Sequence, residues 1–163
     1  MTLKKISSRF SILIFFLSFL VFNIYAEEEL TKEEKAKIIN EVNTLFENSI
    51  KAGEILDIKG IRENVDDTLK SGFIDNGIYF TSFEDVMSMF ENRINGLDSQ
   101  KMLIEDKRIT VLSSNIVLLT TSGNNEAKLS DGRIMKVKFA WSFVYTKINN
   151  EWKIIHTHMS NPR

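Results

Sequence analysis

The segment IMKVKFAWSFVYTKINNEWKIIHTHMS, residues 134–160, decides the fold. Up to Tyr145 its side chains alternate between two sets, of which one is apolar and mostly aromatic: Met135, Val137, Phe139, Trp141, Phe143 and Tyr145. Because neighbouring side chains on a strand point to opposite faces, this alternation predicts a half-buried β-strand. Asn149-Asn150 predicts a turn, after which residues 152–160 return as a last antiparallel strand.

Two further strands are predicted before this hairpin. From Ser99 onward the period changes to two, with Met102, Ile104, Asp106, Arg108 and Thr110 on one face. Residues 113–115 predict a turn. Residues 116–121 are rich in β-branched side chains and leucine, which is typical of a central strand. We interpret Gly123-Asn124-Asn125 and Asp131-Gly132 as further turns.

The N-terminal half has helical periodicity instead. Thr31 and Glu34 have the spacing of a capping box, and apolar residues then recur at three- and four-residue steps as far as Ile50. Gly53 is expected to end this helix. Thr81 and Glu84 repeat the capping spacing before an apolar stripe from residue 83 to 94.

A weaker helical period links Ile58, Ile61, Val65 and Leu69, and predicts one short helix that begins after Asp57. Two short apolar pieces then flank Asp75-Asn76-Gly77, whose Asn-Gly pair predicts a tight hairpin. Helices therefore come first, and four long strands with short connections follow. This order predicts an α+β domain in which an antiparallel sheet packs on the helices.

The extreme N-terminus has the pattern of a signal peptide. Lys4, Lys5 and Arg9 precede an almost wholly apolar run, residues 10–22, which is short for a membrane span, and Ala26 offers a small residue for cleavage. We therefore expect a signal peptide over residues 1–26, with an uncleaved N-terminal anchor as the alternative.

The mature domain is then residues 27–163, located in the periplasm or secreted, without a stable membrane anchor after cleavage. The chain has no cysteine, so its fold relies on core packing without disulfides. Once the three basic residues of the leader are removed, 18 Lys and Arg face 22 Asp and Glu. A mildly acidic domain is a poor match for phosphate backbones, so we expect no nucleic-acid partner.

The last hairpin, residues 138–143 and 152–160, resembles that of the SnoaL-like or nuclear transport factor 2-like family. It is also similar to the association domain of calmodulin-dependent kinase II. Asn76-Gly77 before the helix of residues 83–90, and a first helix that ends near Gly53, match as well. The resemblance implies a cone-shaped, curved antiparallel sheet wrapped around N-terminal helices, a pocket at the open end of the cone, and frequent homodimers.

The two histidines of the chain, His156 and His158, are the catalytic candidates. On a regular strand they share a face with Trp152, Ile154 and Ser160, where an imidazole could act as a base or orient a ligand. The alternative is that they only make hydrogen bonds that hold the last strand in place. An H-x-H pair supplies two metal ligands without an evident third, so we predict no metal and no cofactor.

For ligand binding, the candidates are Trp141, Phe139 and Phe143 on the predicted concave face, together with Tyr79 and His158. An aromatic stripe of this kind is more often core than ligand cage, and both roles can coexist at a pocket mouth. Asp75, Asp106 and Tyr79 have the residue types that isomerase chemistry uses, but no motif assigns them a role.

We expect an exported domain that binds a small apolar molecule without assignable chemistry. The alternatives are an isomerase, dehydratase or hydrolase acting on such a molecule, and a protein-interaction or assembly domain. A homodimer is expected through the outer sheet face, where Ala140, Ser142 and Val144 follow two lysines on the predicted strand. Either Val117 and Leu119 or Ile116 and Leu118 would extend this patch.

Overall fold

A computed structural model describes residues 29–161. The chain divides into a unit up to Leu30 and a unit from Thr31 to Arg163. The expected signal peptide, residues 1–26, lies outside the described residues. The second unit contains three helices, α1 (Lys32–Glu54), α2 (Ile58–Arg62) and α3 (Phe83–Ile94), and six strands, β1 (Phe73–Asp75), β2 (Ile78–Phe80), β3 (Leu97–Ser113), β4 (Ile116–Leu129), β5 (Ile134–Ile148) and β6 (Glu151–Ser160).

The start of α1 is fixed by the predicted capping box. The amide of Glu34 donates to the hydroxyl of Thr31, and the amide of Thr31 donates to the carboxylate of Glu34. These bonds satisfy amides that have no partner within the first turn. The hydrogen bonds that the amide and the hydroxyl of Thr31 donate to the carboxylate lower the pKa of Glu34. The buried stripe of α1 contains Ile38, Val42 and Phe46, which face the sheet.

The strands form one curved, unclosed sheet in the order β2-β1-β6-β5-β4-β3. The four long strands are antiparallel neighbours in sequence order, as their short connections predict. The β1–β2 hairpin turns at Asn76-Gly77, both with positive φ, as the tight-turn prediction requires. One pairing departs from the antiparallel expectation, because β1 runs parallel to β6.

The expected turn at Gly123-Asn124-Asn125 is wrong, because β4 continues through these residues to Leu129. Gly123 has a packing role there instead. A Cβ at this position would overlap the carbonyl oxygen of Leu103 on β3 and approach the ring of Phe139 on β5. The glycine therefore permits close approach of neighbouring strands, next to a register shift between β3 and β4.

Two helix boundaries also differ from the sequence predictions. The short helix α2 ends at Arg62, so Val65 and Leu69 lie beyond it, and Val65 forms an isolated bridge with Ile154. The N-cap of α3 is Ser82 rather than Thr81, because the Ser82 hydroxyl accepts from the amide of Asp85 at 3.2 Å. Both differences shift a boundary without changing the type of element.

The core lies between α1 and the concave face of the sheet. Phe143 of β5 packs edge-on against Phe46 of α1, with ring centroids 5.8 Å apart. Val117 and Leu119 are paired with Tyr145 and Phe143 and are fully buried. Burial without a hydrogen-bond partner raises the pKa of the Tyr145 phenol well above its usual range.

Candidate ligand-binding site

A cavity of about 490 Å³ lies between the concave face of the sheet and the three helices. Most of its lining is apolar or aromatic, and its volume is in the range that small-molecule sites have, roughly 300–1,000 Å³. The apolar lining includes Phe46, Ile50, Ile61, Val65, Phe83, Val86, Phe90, Ile94, Leu97, Met102, Leu129, Met135, Val137, Trp141, Phe143, Ile154 and Met159.

The aromatic stripe of β5 forms one wall of this cavity. Trp141 and Phe143 line it directly. Phe139 is buried beside them, with its ring stacked on Trp141 at a centroid distance of 4.1 Å. Of these three candidates, the structure thus brings two to the cavity surface and places the third behind Trp141.

The helical wall is held together by an ion-pair cluster. Arg62 at the end of α2 binds Glu84 at 2.7 Å and Glu91 at 3.1 Å, both on α3. Hydrogen bonding to Glu84 raises the pKa of Arg62 above its usual range, and the pKa of Glu84 is lowered by the same bond. The cluster thus joins α2 and α3, which contribute Ile61 and Phe90 to the same wall of the cavity.

A buried carboxylate reaches the cavity at the end of β1. Asp75 is only 2% exposed. Its Oδ2 accepts hydrogen bonds from Nη2 of Arg93 at 2.6 Å and from Nδ2 of Asn76 at 3.1 Å. Its Oδ1 is buried and has no partner within residues 29–161. One oxygen is therefore anchored, and the other is an unused acceptor.

Arg93, in the last turn of α3, supplies the counter-charge. Its guanidinium also lies over the ring of Phe90, 5.9 Å from the centroid, and its side chain is 43% exposed. Asp75 and Arg93 are the two charged residues among those that line the cavity. The lining is therefore neutral overall, although it holds a full carboxylate.

Asn161 connects the end of the chain to the β1–β2 turn. Its Oδ1 accepts from the indole Nε1 of Trp141 at 3.2 Å, and its amide N–H donates to Oδ1 of Asn76 at 2.7 Å. Asn76 in turn donates to Asp75. Trp141 and the carboxylate thus belong to one hydrogen-bonded group at the cavity edge.

The expectation that His156 and His158 share a face with Trp152 and Ile154 is wrong. A bulge interrupts β6, because Ile154 pairs with Tyr145 whereas His156 pairs with Val144. The extra residue turns His156 and the residues after it at every second position to the face opposite Ile154. His156 lies 2.7 Å from the carbonyl of Gly72 through its Nδ1, and His158 is exposed in a groove on the outer face with Ala140 and Ser142. Neither histidine lines the cavity.

Two other residues of suitable type also lie outside the cavity. Tyr79 is 62% exposed, and its ring covers Gly72, where a Cβ would overlap the phenol. Asp106 lies in the outer groove beside Thr121 and Ser122. Among Asp75, Asp106 and Tyr79, which the sequence could not tell apart, the structure brings only Asp75 to the cavity.

Within the described part of the chain, there is no group of three or more side chains suited to hold a metal ion. No helix in that part is long and apolar enough to span a membrane.

The fold and its cavity define a helix-and-sheet domain with an apolar interior site. The chain belongs to the SnoaL-like domain family, whose model matches residues 42–163. No curated protein matches the chain.

Solved structures show the same fold at low sequence identity. A nuclear transport factor 2-like superfamily protein from Salmonella enterica is 16% identical with a TM-score of 0.71, covering 79% of this chain and 94% of its own. A proposed scytalone dehydratase from Novosphingobium aromaticivorans is 6% identical with a TM-score of 0.73, covering 82% and 89%. A proposed calcium/calmodulin-dependent protein kinase II association domain from Xanthomonas campestris is 18% identical with a TM-score of 0.65, covering 75% and 86%. At these identities the likeness concerns the fold alone.

Proposed function

We propose that this domain binds a small, largely apolar molecule in the cavity and that the molecule donates a hydrogen bond to Asp75. The unpaired Oδ1 of Asp75 carries the proposal. A buried acceptor without a partner costs about 1–3 kcal/mol, and a ligand hydroxyl or N–H would recover that cost. Trp141 and Phe143 would supply apolar contact with the body of the molecule.

Isothermal titration calorimetry with a matched pair of probes tests this proposal. Octan-1-ol can donate a hydrogen bond, whereas 1-methoxyoctane can only accept one. We expect the alcohol to bind about 10- to 100-fold more tightly, the usual contribution of one hydrogen bond to a charged acceptor. Equal affinities, or no binding of either probe, would contradict the proposal.

The variant Asp75→Asn sharpens the test. Because a guanidinium only donates, the amide oxygen would face Arg93 and the NH₂ group would face the cavity. An NH₂ group donates equally to an alcohol or an ether, so the preference for octan-1-ol should disappear. The matched control is Asp106→Asn in the outer groove, which should keep the preference.

A second candidate function is proton transfer, with Asp75 rather than a histidine as base. The same free oxygen supports it, because an anchored carboxylate with one open lone-pair position can accept a proton from a bound molecule. The fold likeness to a proposed scytalone dehydratase is compatible with such chemistry. Deuterium exchange at the α-carbon of octan-2-one in D₂O would reveal it: wild type should accelerate exchange, and Asp75→Asn should not. Uncatalysed exchange rates in wild type would leave binding as the function.

We also propose that the domain acts outside the cytoplasm, in the periplasm or as a secreted protein. The basic and apolar pattern of residues 1–26 supports this. An assembly role has less support, because such a role does not use an open apolar cavity.

A further inference from the structure

The cavity contains a second unused acceptor, far from Asp75. Oδ1 of Asn125 on β4 is buried and has no partner among the described residues. Asn125 lines the cavity, and its strand neighbour on β5 is the apolar Val137.

A hydrogen-bond relay fixes the orientation of the Asn125 amide. The carbonyl oxygen of Gly53, near the end of α1, accepts from Nε2 of Gln100 at 2.6 Å. Oε1 of Gln100 then accepts from Nδ2 of Asn125 at 3.0 Å. Since a backbone carbonyl can only accept, both amides have one permitted orientation, and the oxygen of Asn125 is the atom left without a partner.

The sheet register gives the separation of the two acceptors. Through the pairings across β6 and β5, Asp75 is aligned with Thr121 of β4, which is three strands away. Asn125 is four residues further along β4. With about 4.8 Å between strands and about 3.3 Å per residue, the two positions are roughly 20 Å apart along the sheet. Because the sheet is curved, the straight-line distance between the two positions is shorter than this path along the sheet.

The charge of the lining limits the ligand further. Asp75 is already paired with Arg93, and these are the charged groups among the lining residues. A charged ligand would be buried without a counter-ion of its own, which is costly. A neutral ligand meets no such penalty.

We infer that the cavity takes a neutral, elongated, apolar molecule with a hydrogen-bond donor at each end, one for Asp75 and one for Asn125. A molecule of the diol class has this chemistry. The inference rests on the proposed binding function and adds the second contact and the spacing between the two.

Calorimetric titration with α,ω-alkanediols tests the second contact. Hexane-1,6-diol to dodecane-1,12-diol would each be compared with the 1-alkanol of the same length. We expect the diol to bind about 5- to 10-fold more tightly at one chain length and to show little advantage at shorter ones. Asn125→Leu, which removes the acceptor at similar volume, should abolish that advantage, so that each diol binds no more tightly than the 1-alkanol of the same length.

The matched control is the adjacent Asn124→Leu. Asn124 bonds Glu105 and is absent from the cavity lining, so both the 1-alkanol and the diol should bind as in wild type. If 1-alkanols bind and no diol length has an advantage, the second contact is wrong while the proposed function stands. If no 1-alkanol binds, the proposed function fails and the inference with it. The length dependence in wild type decides the question even if Asn125→Leu does not fold.

Discussion

The buried carboxylate of Asp75, at the end of β1, accepts a 2.6 Å hydrogen bond from Nη2 of Arg93, in the last turn of α3. This contact joins the edge of the sheet to the helix that covers the cavity. It leaves Oδ1 of Asp75 unpaired, while Oδ2 carries all of the hydrogen bonds to the carboxylate. The pair therefore stabilises the domain and orients the acceptor that the proposed function uses.

Removal of Arg93 should destabilise the domain, because the carboxylate of Asp75 would remain buried without its counter-charge. Arg93→Met should lower the free energy of unfolding by about 1–3 kcal/mol; the loss is below that of a fully buried pair because the arginine is 43% exposed. Urea denaturation measures it. Arg133→Met, which breaks an exposed pair with Asp131, is the control and should cost under about 0.5 kcal/mol. If both variants lose the same free energy of unfolding, the Asp75–Arg93 pair contributes no more to stability than an exposed ion pair.

Trp141→Ala should cost less than truncation of a core aromatic. A fully buried ring costs about 3–5 kcal/mol, but one side of Trp141 borders the cavity, so we expect about 2–3 kcal/mol. Phe73→Ala, at 0% exposure and absent from the cavity lining, should show the full loss in the same denaturation experiment. A loss for Trp141→Ala that equals or exceeds that of Phe73→Ala would mean that the cavity does not border the indole.

Most elements of the fold are predictable because they depend on local sequence patterns. The capping box at Thr31, the Asn-Gly turn and the alternation of β5 each predict an element, and each is present. The role of Gly123 is not predictable in this way, because it depends on the carbonyl of Leu103, a contact that no local pattern encodes.

The site was much less predictable, for two physical reasons. The bulge in β6 between Ile154 and His156 places both histidines on the opposite face from the one expected. An alternating sequence pattern does not reveal that one extra residue is inserted in a strand. The sequence does not separate Asp75 from Asp106 and Tyr79, because the partner of Asp75, Arg93, is 18 residues away along the chain. The one available signal was a carboxylate directly before Asn-Gly at the end of an apolar strand.

The outer sheet face is the proposed homodimer interface. Ala140 is exposed there beside Ser142 and His158, and Ile116 at 41% exposure, rather than the buried Val117, is on the outer side. Ala140→Arg should convert dimer to monomer, because twofold symmetry brings two unpaired charges together. Light scattering measures the mass. Ser130→Arg, at an exposed position outside the patch, is the control; a monomeric wild type would refute the dimer, and a dimeric Ala140→Arg would refute this interface.

Cleavage after Ala26 should give a mature protein that begins near Glu27. N-terminal sequencing of the protein recovered from the periplasm or medium of its own host measures this directly. A sequence that begins at Met1 or Thr2 would contradict cleavage and favour the uncleaved anchor.

The occupancy of the cavity in the native host tests the central claim most directly. Native mass spectrometry of protein purified from that host should show a retained neutral molecule. Val137→Trp, which fills the cavity, should lose this molecule, and Val144→Trp, on the opposite face of β5, should keep it. A wild-type protein without any retained molecule, or equal retention by Val137→Trp, would contradict the account.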